Sequence, residues 1–248
     1  MSSFWTIASA GGEGGHAAAE HVSDVFFRLP YVGLEVTSIE TTTWGLMALI
    51  LLFVYVGTRN LGRIPRTRTQ AILELAVDGF RSFFEPVIGA EATRAFLPLL
   101  GSLFIFILAC NYSGLLPGAG HLPGLKAPTS NWGVTAGLAT VVFVATQVSG
   151  IRKKGLRYFK HMVDPWYLAP LLLPLGIVEE LVRPFALSLR LVANIFGGET
   201  VVLALLMATP WFVPIIPLGL ELIFGFIQAF IFTFLTAIYL SSAVAEEH

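Results

Sequence analysis

The chain has 248 residues, of which 55% are hydrophobic and 12% are charged, and its mean hydropathy is +0.77. Because soluble domains carry about 25% charged residues, this composition excludes an ordinary soluble fold and indicates that lipid surrounds most of the chain. The formal net charge of -1 gives no electrostatic basis for binding nucleic acid.

The first 35 residues differ in character from the rest. Their early part is glycine-rich and acidic, with Glu13, Glu20 and Asp24, whereas a secretory signal is first basic and then apolar. We expect residues 1–35 to form a polar, flexible segment, external or interfacial, that meets the membrane surface near Phe26 and Phe27. Residues 36–248 are expected to form one membrane domain.

Three uncharged stretches, 41–58, 95–120 and 131–151, are long enough to cross the bilayer as helices. The first and the third lead into basic clusters, Arg59–Arg68 and Arg152–Lys160. Basic loops remain cytoplasmic, and with these three spans both clusters lie on the same side of the membrane. We therefore predict an external N-terminus, a cytoplasmic C-terminus and an external loop at the glycine- and proline-rich segment 116–128.

Residues 69–88 show a different pattern. Polar side chains recur at steps of four, four, three and four, at Gln70, Glu74, Asp78, Arg81 and Glu85. This spacing predicts a helix with one polar stripe, lying on the cytoplasmic membrane surface. The alternative is a helix whose apolar side packs on the protein itself, and the two arrangements are compatible.

Two further apolar stretches, 168–199 and 211–245, are too long for a simple crossing. As continuous helices they would measure about 45 to 50 Å, against a hydrocarbon core of about 30 Å. They must tilt, break or extend beyond the bilayer, and Pro184 is a candidate kink. The predicted fold is an all-α integral membrane protein of about five transmembrane helices plus the amphipathic surface helix, with the last two helices long and strongly tilted.

Charged residues inside these last stretches require an explanation. Arg190 lies deep in an apolar segment without an acid within one turn, although an arginine at mid-bilayer costs about 2.5 to 3.5 kcal/mol. We expect it to face protein or water, or to pair with Glu221 across helices. Helical periodicity places Glu179, Arg183, Arg190 and Asn194 on one stripe, with Glu180 about a quarter turn away.

The remaining polar residues each have a simpler explanation as well. Glu199 points nearly opposite to Arg190 and could mark the far interface of its helix. Glu221 and Gln228 share a face of the last helix, and Gln228 could merely hydrogen-bond a neighbouring helix. Glu179 and Arg183 are spaced for an ordinary i,i+4 ion pair.

Two segments carry a specific resemblance to a known family. They are Pro184-Phe-Ala-Leu-Ser-Leu-Arg-Leu-Val-Ala-Asn-Ile-Phe-Gly-Gly-Glu199 and Gln228-Ala-Phe-Ile-Phe-Thr-Phe-Leu-Thr-Ala-Ile-Tyr-Leu240. Weaker matches lie at 97–117, which includes Asn111-Tyr-Ser-Gly-Leu-Leu-Pro, and from Pro128-Thr-Ser-Asn onward. Over about residues 35 to 248 the chain resembles subunit a of F-type ATP synthases.

The resemblance implies a proton-conducting stator of the Fo sector. Two long tilted helices would pack against a rotating ring of c subunits, with two offset aqueous half-channels. Arg190 matches the essential arginine that faces the ring carboxylate and keeps the half-channels apart. The matched polar positions of the channel and the helix pair are Asn194, Glu199, Glu221 and Gln228. Many members carry a glutamate fourteen residues before the arginine, where this chain has Gly176, so the internal half-channel falls to Glu179 or Glu180.

The same resemblance implies the partners, which are the c-ring, the b and b′ subunits of the peripheral stalk, the lipid bilayer and, indirectly, the catalytic F₁ sector. It implies a subunit that is not an enzyme by itself, and we expect no cofactor or metal. The absence of a basic, transit-type N-terminus favours a bacterial plasma (inner) membrane. Two other functional classes fit the sequence less well. A self-contained transporter would show internal repeats, and an intramembrane enzyme would show a catalytic motif such as Gly-x-Ser-x-Gly or His-Glu-x-x-His; the sequence contains neither.

Overall fold

The computed structural model describes residues 25–28, 35–59, 62, 67–116, 127–155, 169–208 and 215–245. Within them the chain is almost wholly helical. The helices are α1 (Ser38–Thr58), α2 (Arg68–Ile88), α3 (Ala90–Ser113), α4 (Trp132–Lys154), α5 (Ala169–Ala208) and α6 (Ile215–Val244). A short 3-10 turn, Pro128–Ser130, precedes α4. The predicted flexible residues 1–24, most of the predicted external loop and the C-terminal residues 246–248 lie outside this description.

A two-stranded antiparallel ribbon precedes α1 and was not predicted. It pairs β1 (Val25–Arg28) with β2 (Glu35–Thr37), with Phe27 opposite Val36. Strands of four and three residues are too short to show the apolar–polar alternation by which a strand is read from sequence. The ribbon crosses the predicted domain boundary between residues 35 and 36, and that boundary stays a prediction.

The helices confirm the prediction of an all-α membrane protein. Four of the described helices are long and apolar enough to cross a membrane: Ile39–Thr58, Ala90–Ser113, Trp132–Lys154 and Ile216–Val244. The fifth predicted span is α5, which is distinguished by its charged residues. The predicted span 95–120 is shifted, because α3 begins at Ala90 and ends at Ser113, where the backbone turns through a Leu115 N–H to Tyr112 carbonyl hydrogen bond of 3.1 Å.

The two C-terminal helices are continuous and long. Helix α5 has 40 residues and runs without interruption through Pro174 and Pro184, so Pro184 does not break it. At 1.5 Å per residue it measures about 60 Å, which exceeds the predicted length. Helix α6 has 30 residues and measures about 45 Å.

One apolar cluster joins the four inner helices. Its fully or nearly buried members come from α3, α4, α5 and α6 and are Leu103, Ile107, Val142, Leu187, Leu191, Ala229 and Phe232. A second cluster packs α2 onto α3 and α6 through Phe84, Ile88, Leu100, Ala237 and Leu240. The amphipathic helix therefore packs on the protein, as the alternative interpretation of its sequence had it. Its placement on the cytoplasmic membrane surface stays a prediction.

A single glycine forms the corner between α2 and α3. Thr67 caps the start of α2 by accepting a hydrogen bond from the Gln70 N–H, and the helix ends at Ile88. Gly89 then adopts φ 84° and ψ 156°, a conformation essentially restricted to glycine, and α3 begins at the next residue. This corner lets α2 turn back and bury Phe84 against the helices that carry the site.

Candidate functional site

Arg190 lies on the uncovered side of α5. Three large apolar side chains of the same segment, Phe185, Leu189 and Phe196, are also exposed. Among the described residues Arg190 is exposed and makes neither a hydrogen bond nor an ion pair. The nearby Leu187 and Leu191 are buried in the four-helix cluster, so packing fixes this part of the helix while the Arg190 side chain stays exposed.

The alternative in which Arg190 pairs with Glu221 is not realised among these residues. The Glu221 carboxylate lies instead beside Gly198, where an added Cβ would stand 3.1 Å from Oε1. Gly198 is eight residues beyond Arg190, or about 12 Å along the helix. A glycine at this position gives the Glu221 carboxylate room against α5, next to Glu199 in sequence. The side chain of Glu199 itself lies outside the described residues.

Glu179, Glu180 and Arg183 form a connected ionic group on α5. Arg183 bonds Glu179 at 2.6 Å and Glu180 at 3.2 Å, which confirms the predicted i,i+4 pair and adds a second acid. The guanidinium also lies over the ring of Tyr239 on α6, 5.3 Å from its centroid, in cation–π geometry. One arginine thus holds both acids and contacts the neighbouring helix.

The two glutamates are not equivalent. The Glu179 side chain is 64% exposed and that of Glu180 is 23% exposed. Glu180 Oε2 accepts a hydrogen bond of 2.8 Å from Gln147 Nε2 on α4. Glu180 also lines a cavity of about 10 Å³ together with Arg183 and Tyr239, close to the smallest volume that holds one water.

Gln147 and Tyr239 were not predicted as site residues. Gln147 is the one amide side chain in α4, and an amide inside a membrane helix commonly finds a partner on another helix. Tyr239 lies within the second resembling segment, where its phenol ring could have been noted as a partner for a cation. Both residues could be recognised in the sequence, but the sequence does not show whether they contact Glu179 or Glu180.

The polar face of α6 is turned inward. Gly225, Gln228 and Phe232 are buried and Glu221 is half-buried, which agrees with the predicted shared face of Glu221 and Gln228. Gln228 is 6% exposed, and its Nε2 is the one buried side-chain polar atom without a hydrogen bond among the described residues. Asn194 is half-buried on α5.

A hydrogen-bond network clamps α6 to α3 at the far end of the site. Asn111 Nδ2 donates to the Gly225 carbonyl at 2.9 Å, and Thr129 Oγ1 donates to Asn111 Oδ1 at 3.0 Å. The Tyr112 hydroxyl donates to the Leu222 carbonyl at 3.3 Å. The two weaker resembling segments, which contain Asn111 and Thr129, therefore meet each other and hold the part of α6 between Glu221 and Gln228.

Comparison with known proteins gives a consistent result. The family described as ATP synthase A chain matches residues 41–241. A protein named ATP synthase subunit a from Moorella thermoacetica is 41% identical over 212 residues, covering 85% of this chain and 92% of the relative. The same name is carried by relatives from Trichlorobacter lovleyi, 38% identical over 207 residues (83% and 86% covered), and Helicobacter hepaticus, 36% identical over 207 residues (82% and 89% covered).

Proposed function

The chain belongs to the ATP synthase A chain family, and from this premise we propose that it is the non-catalytic, proton-conducting stator subunit of the Fo sector of an F-type ATP synthase. The observation that carries the proposal is the position of Arg190. This arginine is exposed and unpaired among the described residues, within an apolar segment of the 40-residue helix α5.

We propose that this cation, which has no partner among the described residues, finds one on a neighbouring subunit. Arginine in contact with lipid is costly, and it stays protonated in proteins. A carboxylate on a neighbouring subunit would remove this cost, and the cation would in turn favour the ionised form of that carboxylate. A ring of c subunits, each presenting a carboxylate, is the partner that fits this chemistry. Because arginine does not release its proton, it attracts each carboxylate without relaying protons.

We propose that Glu180 lines the internal half-channel. It is the glutamate turned towards α4, bonded by Gln147, and placed beside a cavity near the size of a water molecule. Glu179, which lies on the exposed side, is assigned the role of holding Arg183. Glu180 lies ten residues, or about 15 Å along the helix, from Arg190, so the internal path approaches the arginine from one side.

The external half-channel is assigned to Glu199 and Glu221. The contact between the Glu221 carboxylate and Gly198 supports this pairing, because Gly198 is the residue directly before Glu199 in the chain. Glu199 lies nine residues, or about 13 Å, from Arg190 in the opposite direction. Asn194 and Gln228 complete the polar faces. Gln228 Nε2, which has no hydrogen-bond partner among the described residues, is available to donate to a water in the path.

We further propose a bacterial plasma membrane location with the N-terminus outside and the C-terminus cytoplasmic. The start of α3, the end of α4 and the end of α6 line one cavity, so these three ends lie on one side of the bundle. That side also carries Arg152, Lys153 and Lys154, which favours the cytoplasm. The b and b′ stalk subunits and the F₁ sector would be reached from this side. Cysteine labelling from each side at position 153 and near 38 tests the threading, and labelling of both from one side would contradict it.

The decisive variant is Arg190→Ala. It should insert and assemble, because removal of an exposed cation lowers the insertion cost, and the complex should still copurify with an oligomeric ring of small subunits. ATP-driven pumping and ion-driven synthesis should both be lost, while passive proton leak through reconstituted Fo persists or rises. Arg190→Lys should also lose coupling, because lysine can deprotonate when desolvated and lacks the planar fork.

Arg94→Ala is the matched control. Arg94 is another exposed arginine, on α3, without an ion pair among the described residues, and its removal should leave coupled pumping near the wild-type rate. Coupled pumping at a normal rate by Arg190→Ala would refute the proposed role of the arginine.

A further inference from the structure

A cavity of about 720 Å³ lies where α2 meets α3 and where α4 and α6 end. It is separate from the residues proposed to conduct protons, and the proposed proton path does not use it. Its polar lining includes Arg152 and Lys153 from the last turn of α4. Both are exposed and make no ion pair among the described residues. The one acid that lines the cavity is Glu91, so the formal charge of the lining is positive.

Two hydroxyl groups in the lining are free to donate. Most helical serines and threonines of this chain donate to a carbonyl three or four residues earlier, as Ser102, Thr146 and Ser242 do. Of those whose side chains the structure describes, only Ser149 and Ser241 have hydroxyls without a hydrogen bond, and both residues line this cavity. Two unused donors on different helices, facing the same space as two unpaired cations, indicate a site for an anion with several acceptor oxygens.

The backbone adds further donors to the same space. Gly89, Ala90 and Glu91 line the cavity at the start of α3, and Gly89 offers no side-chain cap to that helix. The first N–H groups of a helix are free to bind an anion. These donors supplement the cations and hydroxyls, which define the site.

The rest of the lining is apolar and includes Ile88, Phe96 and Val244. A free inorganic anion would gain nothing from these side chains, whereas a lipid would place its acyl chains against them. Basic pockets between transmembrane helices are suited to anionic lipid headgroups. We infer that this cavity binds the phosphate headgroup of an anionic membrane phospholipid, with Arg152, Lys153, Ser149 and Ser241 as its polar contacts.

The test titrates the detergent-solubilised complex with a short-chain phosphatidylglycerol and counts bound lipid by native mass spectrometry. Each basic residue near a membrane surface contributes about fivefold to binding of anionic lipid. Arg152→Gln with Lys153→Gln should therefore weaken binding at this site by about 30-fold. Arg152→Lys with Lys153→Arg, which keeps both charges, should retain most of the affinity.

The matched control is Arg94→Gln with Lys154→Gln. It also removes two positive charges, one near the start of α3 and one at the end of α4. Neither residue lines the cavity, so the affinity for the lipid should change little. Glu91→Gln should act in the opposite direction and tighten binding by up to about fivefold, because it removes the one acid of the lining.

Three results would overturn the inference: equal losses in the two double variants, equal binding of short-chain phosphatidylcholine, and displacement of the lipid by inorganic phosphate at the same concentration. The last result would show that free phosphate is the ligand. These results do not depend on coupled pumping by Arg190 variants, so the lipid site and the proposed function are tested independently.

Discussion

Replacing Asn111 by alanine removes two hydrogen bonds that tie α3 to α6 and to the 3-10 turn. The Asn111 side chain donates to the Gly225 carbonyl at 2.9 Å and accepts from the Thr129 hydroxyl at 3.0 Å. Asn111 is 3% exposed and Thr129 is fully buried. Water therefore cannot easily replace the lost partners, and the Thr129 hydroxyl is left without its acceptor.

The expected cost follows from the two bonds. Interhelical hydrogen bonds in membrane proteins contribute about 0.6 kcal/mol on average and up to about 1.7 kcal/mol. Two such bonds give about 1 to 3 kcal/mol for Asn111→Ala, and the stranded buried hydroxyl moves the cost towards the upper end of that range. Thr129→Val, which is nearly isosteric, should cost less because it removes one of the bonds.

The assay is reversible unfolding of the purified subunit in mixed detergent micelles, applied to the two single variants and the double variant. A double-mutant cycle isolates the Asn111–Thr129 interaction, and we expect a coupling energy of about 0.6 to 1.7 kcal/mol. Tyr112→Phe is the control, because its bond to the Leu222 carbonyl is longer, at 3.3 Å, and partly exposed. A coupling energy within error of zero would refute the reasoning, as would a cost for Asn111→Ala no larger than that for Tyr112→Phe.

Three further predictions concern single residues. Gln147→Leu removes the hydrogen bond to Glu180 and should lower the rate of ATP-driven pumping. An unchanged rate would contradict the assignment of Glu180 to the internal half-channel. Gly198→Ala places a Cβ 3.1 Å from the α6 carboxylate that packs there, so it should impair proton flux, whereas Gly197→Ala, with open space around the new atom, should not. Gly89→Ala should destabilise the fold by about 1 to 3 kcal/mol through its backbone conformation alone, while Gly79→Ala in the body of α2 should stabilise it by about 0.5 to 1 kcal/mol; the same unfolding measurement decides both, and equal signs would contradict the argument.

The helices were largely predictable from sequence because the bilayer imposes long uncharged runs. The predicted span beginning at Asn131 gives the start of α4 to within one residue. The polar stripe from Gln70 to Glu85 gives the extent of α2 to within a few residues. The ribbon of β1 and β2 was missed because its strands are too short to show a periodicity. The continuity of α5 through Pro184 was also open, since a proline in a helix removes one hydrogen bond and its neighbours decide whether the helix bends.

The candidate site was predictable in part. Helical spacing alone placed Glu179 with Arg183 and put Glu221 on the same face as Gln228. Spacing could not distinguish Glu180 from Glu179, because that distinction depends on Gln147, which lies 33 positions away in the chain. The same limit applies to Asn111 and Gly225, whose contact joins residues 114 positions apart.

The length of α5 has a geometric consequence for any subunit that moves past it. A helix of 40 residues, if held wholly within a hydrocarbon core about 30 Å thick, would lie about 60° from the membrane normal. Moving from Glu180 to Arg190 would then change depth by only about 7 Å, but would shift position sideways by about 13 Å. That sideways shift exceeds the diameter of one helix, about 10 to 12 Å. Glu180 and Arg190 would therefore face different subunits of an adjacent ring at almost the same depth in the membrane. Their separation would be mainly lateral, along the circumference of the ring.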